Sequence, residues 1–450
     1  MKLEAYLKQG EGKTLEFKEN ANPQSKIEAT AIAFANTSGG HIIIGVEDRT
    51  HYVCGVDNPH AVAESLANLL HDTIEPRLIP NIEVIPFRST HVVVIEIYPS
   101  QLRPHFEKAK GKLKSAYVRI GSTTRVAGEE ILLTIERSVI KSSFDEEICP
   151  GATADDLDIP YIQEIFGKRK PITKRDLINL DILKKERDML APTIGGILLF
   201  SSHRHRFLPD AWVQIGLFEG KDKTTILSTH RVTSFLHEMI DESLNHIKNH
   251  LRVGLKIEDI HHEEVWELPK VALREAITNA IIHTDYSLRG APIRIASFDD
   301  RVEIENSAVL LGGLTLNDMQ SGVSQLRNRV IGRIFQEIGI IENWGSGIER
   351  MRSTCRNAGL SSPRFEEIGS RIRVTFYRTK QSAPRQDAVD QKILVFIDEK
   401  GSASTQEIVE VIGLSRRATI TRLAKLVEGS LLKEIALNPK DPKKRYELIG

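Results

Sequence analysis

The stretch Leu268–Ala308, LPKVALREAITNAIIHTDYSLRGAPIRIASFDDRVEIENSA, decides how the middle of this chain is built. A helix beginning near Pro269 carries Glu275, Asn279 and His283 at four-residue intervals, so the three polar groups project from about one face. Val271, Ile277, Ala280 and Ile281 are the apolar companions expected to face a core. On an arbitrary helix such a stripe is usually a solvated face. Here a hairpin follows at once: PIRIASF and RVEIEN, joined by a tight turn at Asp299 and Asp300. Helix and hairpin together make α/β material in which the stripe lies at a cavity edge.

Upstream, PTIGGILLF and AWVQIGLFEG read as buried strands, and Val232 to His250 as an amphipathic helix. Ser142 to Arg187 reads as an acidic, turn-rich connector with a small helical element. Downstream, Leu310 to Ile341 includes Arg327, Asn328 and Arg329. These can reach phosphate, or can form the exposed side of a helix whose Val330, Ile334, Phe335 and Ile338 pack inward. In NWGSGIERMR, Gly345 and Gly347 precede a helix, where backbone amides at its positive end suit phosphate.

These residues resemble the nucleotide-binding fold shared by gyrase, heat-shock chaperone, histidine kinase and mismatch-repair ATPases (GHKL-type), in the divergent form of RecG-related regulators, across about Leu190 to Arg378. The resemblance implies ATP and Mg as cofactors. Asn279 would ligate magnesium through its amide oxygen, Glu275 would act as general base, and His283 would lie near the phosphates. One departure stands out. The aspartate that holds the adenine amino group in these ATPases is missing, and Glu305, Asn306, Ser307 and Ala308 occupy that region; Asn306 is the candidate substitute because an amide both donates and accepts.

The first 135 or so residues alternate helix (Ile27 to Asn36, Ala61 to Leu70) and strand (His41 to Val46, Ile82 to Phe87, Val92 to Tyr98, Ala116 to Ile120). The run of Arg103, His105, Lys108, Lys110, Lys112, Lys114, Arg119 and Arg125, opposed only by Glu107, suits phosphate or forms a solvated basic loop. EGKTLEFKEN, AIAFANTSGGHIIIGVEDR, RPHF and AYVRIGSTTR, in that order, resemble the Schlafen-type AlbA-like domain, a nucleic-acid-binding module. The ribonuclease members of that family imply an alternative function: Glu11, Glu16 and one of Glu47 or Asp48 holding a divalent metal. Glu16 and Lys18 equally suit a structural ion pair.

Beyond the polar break RTKQSAPRQDAVD, helices at Ala388 to Glu399, Thr405 to Ile412 and Ser415 to Glu428, then a hairpin from Leu431 to Leu448, give the order of a winged helix-turn-helix. On the third helix Arg416, Arg417, Thr419, Thr421, Arg422 and Lys425 are expected to face DNA, with Ile420, Leu423 and Leu426 inside. Lys440, Lys443, Lys444 and Arg445 are expected at the wing tip.

At 450 residues, with 40% hydrophobic and 27% charged residues, the chain supports several cores. Its net charge of +0 leaves polyanion binding to local patches. Cys54, Cys149 and Cys355 have neither disulfide nor zinc spacing. No stretch has the length and apolarity of a membrane span, so a cytoplasmic location is expected. The expected architecture is an α/β multidomain chain: residues 1–140 AlbA-like, 141–189 a connector, 190–380 a GHKL-type α/β sandwich, and 381–450 a winged helix. The expected function is a DNA-binding, transcriptional regulator that binds or senses ATP and turns it over weakly if at all. Its partners are DNA, RNA as a second option, and a further copy of itself. A nonenzymatic DNA-binding adaptor with a degenerate ATPase fold is the other alternative.

Overall fold

A computed structural model describes residues 3–48, 50–166, 171–186, 189–251, 253–258, 261–310, 314–321, 325–341, 346–378, 388–428, 431–435 and 444–448. The chain opens with α1 (Leu3–Gln9), β1 (Leu15–Lys18), α2 (Gln24–Asn36), β2 (Gly40–Ile44), α3 (Pro59–Thr73), β3 (Asn81–Phe87) and β4 (Thr90–Ile97). The strands form a sheet in the order β1-β2-β4-β3, with β1 and β2 parallel. HIIIG supplies three consecutive isoleucines, and pleating sends them to both faces. Ile42 and Ile44 join Phe34 and Leu66 under α2 and α3, while Ile43 joins Leu15 and Phe17 on the other face under Leu3 and Tyr6. The hairpin β5 (Tyr117–Ile120) and β6 (Thr123–Val126) and helix α4 (Glu129–Val139) follow. Val118, Leu132 and Ile135 cluster there with Val309 from the middle of the chain.

The middle comprises α5 (Ile159–Phe166), α6 (Lys174–Asn179), α7 (Ile194–Phe200), β7 (Val213–Glu219), β8 (Thr225–Val232), α8 (Glu238–Lys248), α9 (Lys270–His283), β9 (Ile293–Ser297), β10 (Arg301–Ser307), α10 (Arg329–Glu337), α11 (Gly347–Asn357), β11 (Arg364–Ile368) and β12 (Arg371–Tyr377). One six-stranded sheet runs β8-β7-β9-β10-β12-β11, parallel only between β7 and β9. The segment expected as a connector is not a linker: Cys149, Leu157, Ile162, Leu177 and Ile182 lie in the same core as Ile215, Leu273, Ile281 and Phe335.

PTIGGILLF, expected as a strand, is helix α7. A wholly apolar run has no period to distinguish the two. Thr193 makes the choice: its Oγ1 accepts from the Gly196 amide at 2.9 Å and caps the helix. The glycines then let the helix seat deeply, because a Cβ at Gly195 would meet Val330 at 2.6 Å and one at Gly196 would meet the Ile182 carbonyl at 2.4 Å. Likewise Val232 ends strand β8, and the helix expected from that point begins at Glu238.

The last unit packs α12 (Ala388–Lys400), α13 (Thr405–Ile412), α14 (Arg416–Glu428) and the hairpin β13 (Leu432–Ile435) and β14 (Arg445–Leu448) around Ile393, Ile397, Ile408, Leu423 and Tyr446. Ser404 caps α13 with a capping box to Glu407, and Gly413 ends it in the left-handed conformation at φ 70°. No described helix is long and apolar enough to cross a membrane.

Candidate nucleotide cavity and nucleic-acid surfaces

Helix α9 is fixed by its buried side: Ala272, Leu273, Ala276, Ile277, Ala280 and Ile281 enter the core. Val271, expected with them, is 50% exposed because it lies in the first turn, on the opposite side from Leu273 and Ala276. The stripe Glu275, Asn279 and His283 lines a cavity of about 500 Å³ together with Asn306, Arg327 and Gly347. Four predicted elements therefore meet at one place: the α9 stripe, the end of β10, the segment before α10, and the start of α11. Gly345 lies outside the described residues.

Asn279 Nδ2 donates to Glu275 Oε1 at 3.5 Å, so the amide oxygen is the atom left to ligate a cation. Glu275 also stands 3.9 Å from the Arg350 guanidinium. Its carboxylate lies hard against the first residue of α11, where a Cβ at Gly347 would be 2.0 Å from Oε1. The anion at this helix start is thus the chain's own carboxylate, favoured by the positive end of the helix. Burial, reinforced by the positive charge of Arg327, lowers His283 to about 4, so its imidazole is neutral near pH 7. Asn306 is 7% exposed, and its buried Nδ2 has no partner among the described residues. A buried donor left unmatched costs about 1–3 kcal/mol, so a ligand acceptor at this point would recover that loss.

The other candidates on this segment have structural partners. Arg327 pairs with Asp285 at 3.0 Å, and buried Asn328 donates to the carbonyls of Ile282 and Thr284 at 2.7 and 2.8 Å, finishing α9. The Arg329 and Ile331 amides donate to Asp145, a fully buried carboxylate that caps α10 and is pushed up to about 6 by burial. Val330, Ile334 and Phe335 pack inward, with Ile338 against the core, as the apolar pattern predicts. Asp285 and Asp145 escaped the sequence analysis, because nothing local distinguishes a capping aspartate from an exposed one.

The amino-terminal module reaches this cavity. Thr134, Arg137 and Ser138 of α4 line it, Thr134 Oγ1 donates to Asp285 at 3.4 Å, and Lys13 Nζ bonds Glu367 at 2.9 Å and the Leu310 carbonyl at 3.1 Å.

The basic run is divided by depth. Arg119, expected at a nucleic-acid surface, is 1% exposed. It donates to the Gly12 carbonyl at 2.9 Å and to Thr124 at 3.1 Å, and pairs with Glu16. Arg103 is buried and bonds Ser138, and His105 is buried against the Pro76 carbonyl. Strand pleating sends Val118 and Arg119 to opposite sides of a hairpin covered on both, and the guanidinium is neutralised rather than offered. Lys108, Lys110, Lys112, Lys114 and Arg125 are exposed; Lys110 meets Glu107 at 2.6 Å and Lys112 meets Glu136 at 2.7 Å.

Glu16, committed to Arg119 and Lys18, is the structural ion pair rather than a free carboxylate. Burial, with the Asp48 carboxyl hydrogen-bonded to it, pushes Glu11 up to about 7 even though the Phe17 amide donates to it at 2.7 Å. Glu47 instead accepts from Thr50. Among the described residues Glu11, Glu16 and Asp48 do not gather into a three-ligand cluster.

In the carboxyl-terminal unit Ser415 Oγ accepts from the Ala418 amide at 3.3 Å and starts α14. Thr419, expected outside, is fully buried, and Ile420, expected inside, is 46% exposed. The inward seam is therefore Thr419, Leu423 and Leu426, a 3-4 spacing that an apolar-only pattern misplaces by one residue. Arg416, Arg417 and Thr421 are exposed, whereas Arg422 pairs with Asp390 at 2.7 Å. Lys444 pairs with Glu434 at 2.5 Å, and Arg445 bonds the Ser402 carbonyl at 2.8 Å, fastening β14 rather than a wing tip. The side chain of Lys425, and Lys440 and Lys443, lie outside the described residues.

Three family models match separate stretches of the chain. Residues 11–128 match the family described as Schlafen, AlbA_2. Residues 290–376 match that described as Putative ATP-dependent DNA helicase recG C-terminal, a match that begins beyond α9. Residues 386–433 match Winged helix-turn-helix DNA-binding. The chain thus carries an AlbA-like Schlafen domain, an ATPase-like domain of the RecG-related type and a winged helix, in that order. Among solved structures it is similar to the DIP2311 protein from Corynebacterium diphtheriae, with 19% identity, 97% of this chain and 92% of that chain covered, and a TM-score of 0.43. It is also similar to the N-terminal domain of a RecG-related protein from Nitrosomonas europaea, with 22% identity, 28% and 94% covered, and a TM-score of 0.24. No curated protein matches the chain.

Proposed function

We propose that this chain is a DNA-binding regulator, cytoplasmic and acting on transcription, whose central cavity binds ATP with magnesium as a sensor rather than as a fast hydrolase. The winged-helix match and the exposed Arg416, Arg417 and Thr421 support DNA as the partner. The observation that carries the nucleotide assignment is the convergence of Glu275, Asn279, Asn306 and Gly347 on one cavity that holds a buried, unmatched amide donor.

Asn279 would hold the magnesium through its amide oxygen, and the ion would offset phosphate charge. Asn306 would give its Nδ2–H to an acceptor on the base. Glu275, held between Asn279, Arg350 and the start of α11, is positioned more firmly than a base that must accept a proton each cycle, which favours slow turnover. Because α4 lines the same cavity, occupancy would alter contacts made by the amino-terminal module.

The test is thermal unfolding of the full chain with and without ATP and magnesium. At a ligand concentration of a hundred times Kd, stabilisation of about 2.7 kcal/mol is expected, and Asn279→Ala should remove it. Absence of any shift with ATP or ADP would overturn the nucleotide assignment and leave DNA binding untouched.

A further inference from the structure

A second group of ionisable side chains stands on the edge of the six-stranded sheet, and none of its members lines the nucleotide cavity. Strand β8 is that edge, solvent-exposed from Thr225 to Arg231. Helix α8 packs beside it through buried Met239, Ile240, Leu244 and Ile247. Glu242 and His246 lie four apart on α8 and so share a face, and His230 of β8 meets them.

One ligand atom from each of the three residues lies within 4.8 Å of the other two. His230 Nε2 is 3.7 Å from Glu242 Oε1, and the two imidazoles stack with centroids 3.6 Å apart and planes at 30°. Ser234 Oγ donates to Glu242 Oε2 at 2.7 Å, which fixes the carboxylate from behind.

We infer that His230, Glu242 and His246 form a binding site for a divalent transition-metal ion of the zinc type, with a fourth position open to solvent. Two imidazoles and one carboxylate suit zinc, whereas magnesium and calcium take oxygen sets and copper(I) takes sulfur. A tetrahedral ion held at about 2.0–2.2 Å places its donors roughly 3.3–3.6 Å apart, so rotations moving each donor by about 1 Å close the site. His230 is 44% and Glu242 37% exposed in their side chains, which leaves the outer face open to water. Bound there, the ion joins the sheet edge to α8, whose Asp241 pairs with Arg274 of α9.

The decisive experiment is titration of the chelator-treated full chain with zinc, by calorimetry, and with cobalt(II), by absorption. Expected are one ion per chain and a cobalt spectrum with no thiolate charge-transfer band. His230→Ala and His246→Ala should abolish uptake, and Ser234→Ala should weaken it about tenfold. Metal-free melting of His230→Ala should be unchanged, because its side chain sits on an exposed edge strand; if His246→Ala fails to fold, His230→Ala alone decides. The assignment is overturned by the absence of stoichiometric uptake, by a thiolate band, or by unchanged affinity in a folded His230→Ala chain.

Discussion

Replacing Glu16 by Gln tests whether this carboxylate is a counter-ion or a reserve metal ligand. Arg119 is 1% exposed and gives its donors to Gly12, Thr124 and Glu16, with Phe34 5.3 Å from its guanidinium carbon. An amide at position 16 still accepts, so the geometry survives while the charge is lost, leaving Arg119 as a buried cation without compensation. Breaking one side of a buried pair costs about 3–5 kcal/mol. The lower end applies here, because neutral acceptors remain at Gly12, Thr124 and the new amide. Glu16→Gln should therefore destabilise the amino-terminal module by about 3 kcal/mol, and Arg119→Met by at least as much. The double variant should cost less than the sum of the singles, by a coupling of about 2 kcal/mol. Residues 1–140 contain no tryptophan, so tryptophan fluorescence does not report on this module. Hydrogen exchange by mass spectrometry, followed in peptides spanning β1 and β2, reports its opening directly. A loss under about 1 kcal/mol in Glu16→Gln, or stabilisation by manganese that vanishes in that variant, would refute the ion-pair account and return Glu16 to the nuclease alternative.

His283 predicts a pH dependence. Its folded pKa of about 4 lies below the ordinary 6.5, so the unfolded chain takes up the proton first. Stability is then complete above about pH 6.5 and falls as pH drops towards 4, by up to roughly 3 kcal/mol. Asp145, raised to about 6 from 3.8, acts with the opposite sign, since its contribution is present at low pH and lost as pH rises through 6. The His283→Gln minus wild-type difference in denaturation midpoints isolates the histidine, and a flat difference from pH 7 to 4 would count against it. Asn306→Leu should keep or slightly raise apo stability by removing an unmatched buried donor, while weakening nucleotide binding by about 1–3 kcal/mol; destabilisation with unchanged affinity would reverse that assignment. Arg417→Ala should weaken DNA binding and flatten its log–log salt dependence by about one unit, measured by fluorescence anisotropy across salt concentrations. An unchanged slope would take Arg417 off the DNA.

The parts of this architecture that could be read from sequence are those with a clear period or punctuation. Helix α9 and its hairpin follow from a four-residue polar interval and an Asp-Asp turn, and α13 has the bounds expected of it, Thr405–Ile412. Where the period vanishes, as in α7, only the Thr193 cap and two tightly packed glycines separate helix from strand, and those clashes belong to the tertiary structure. Depth is harder still to read. Arg119 and Lys114 are both basic residues of one run, yet one is sealed beside Glu16 and the other exposed. The same limit hid the metal cluster: Glu242 and His246 show a helical interval, but His230 joins them only through the packing of α8 beside the edge strand.

The wall that α4 contributes to the central cavity makes ligand occupancy a two-way quantity. Whatever the cavity gains when α4 stands in one position, the surface of the amino-terminal module must gain by the same factor when the cavity is filled, since a coupling free energy belongs to the pair of sites and to neither alone. A nucleic acid that shifts α4 is therefore, in thermodynamic terms, an effector of any ligand that fills the cavity, and the size of that effect can be measured from either end of the chain.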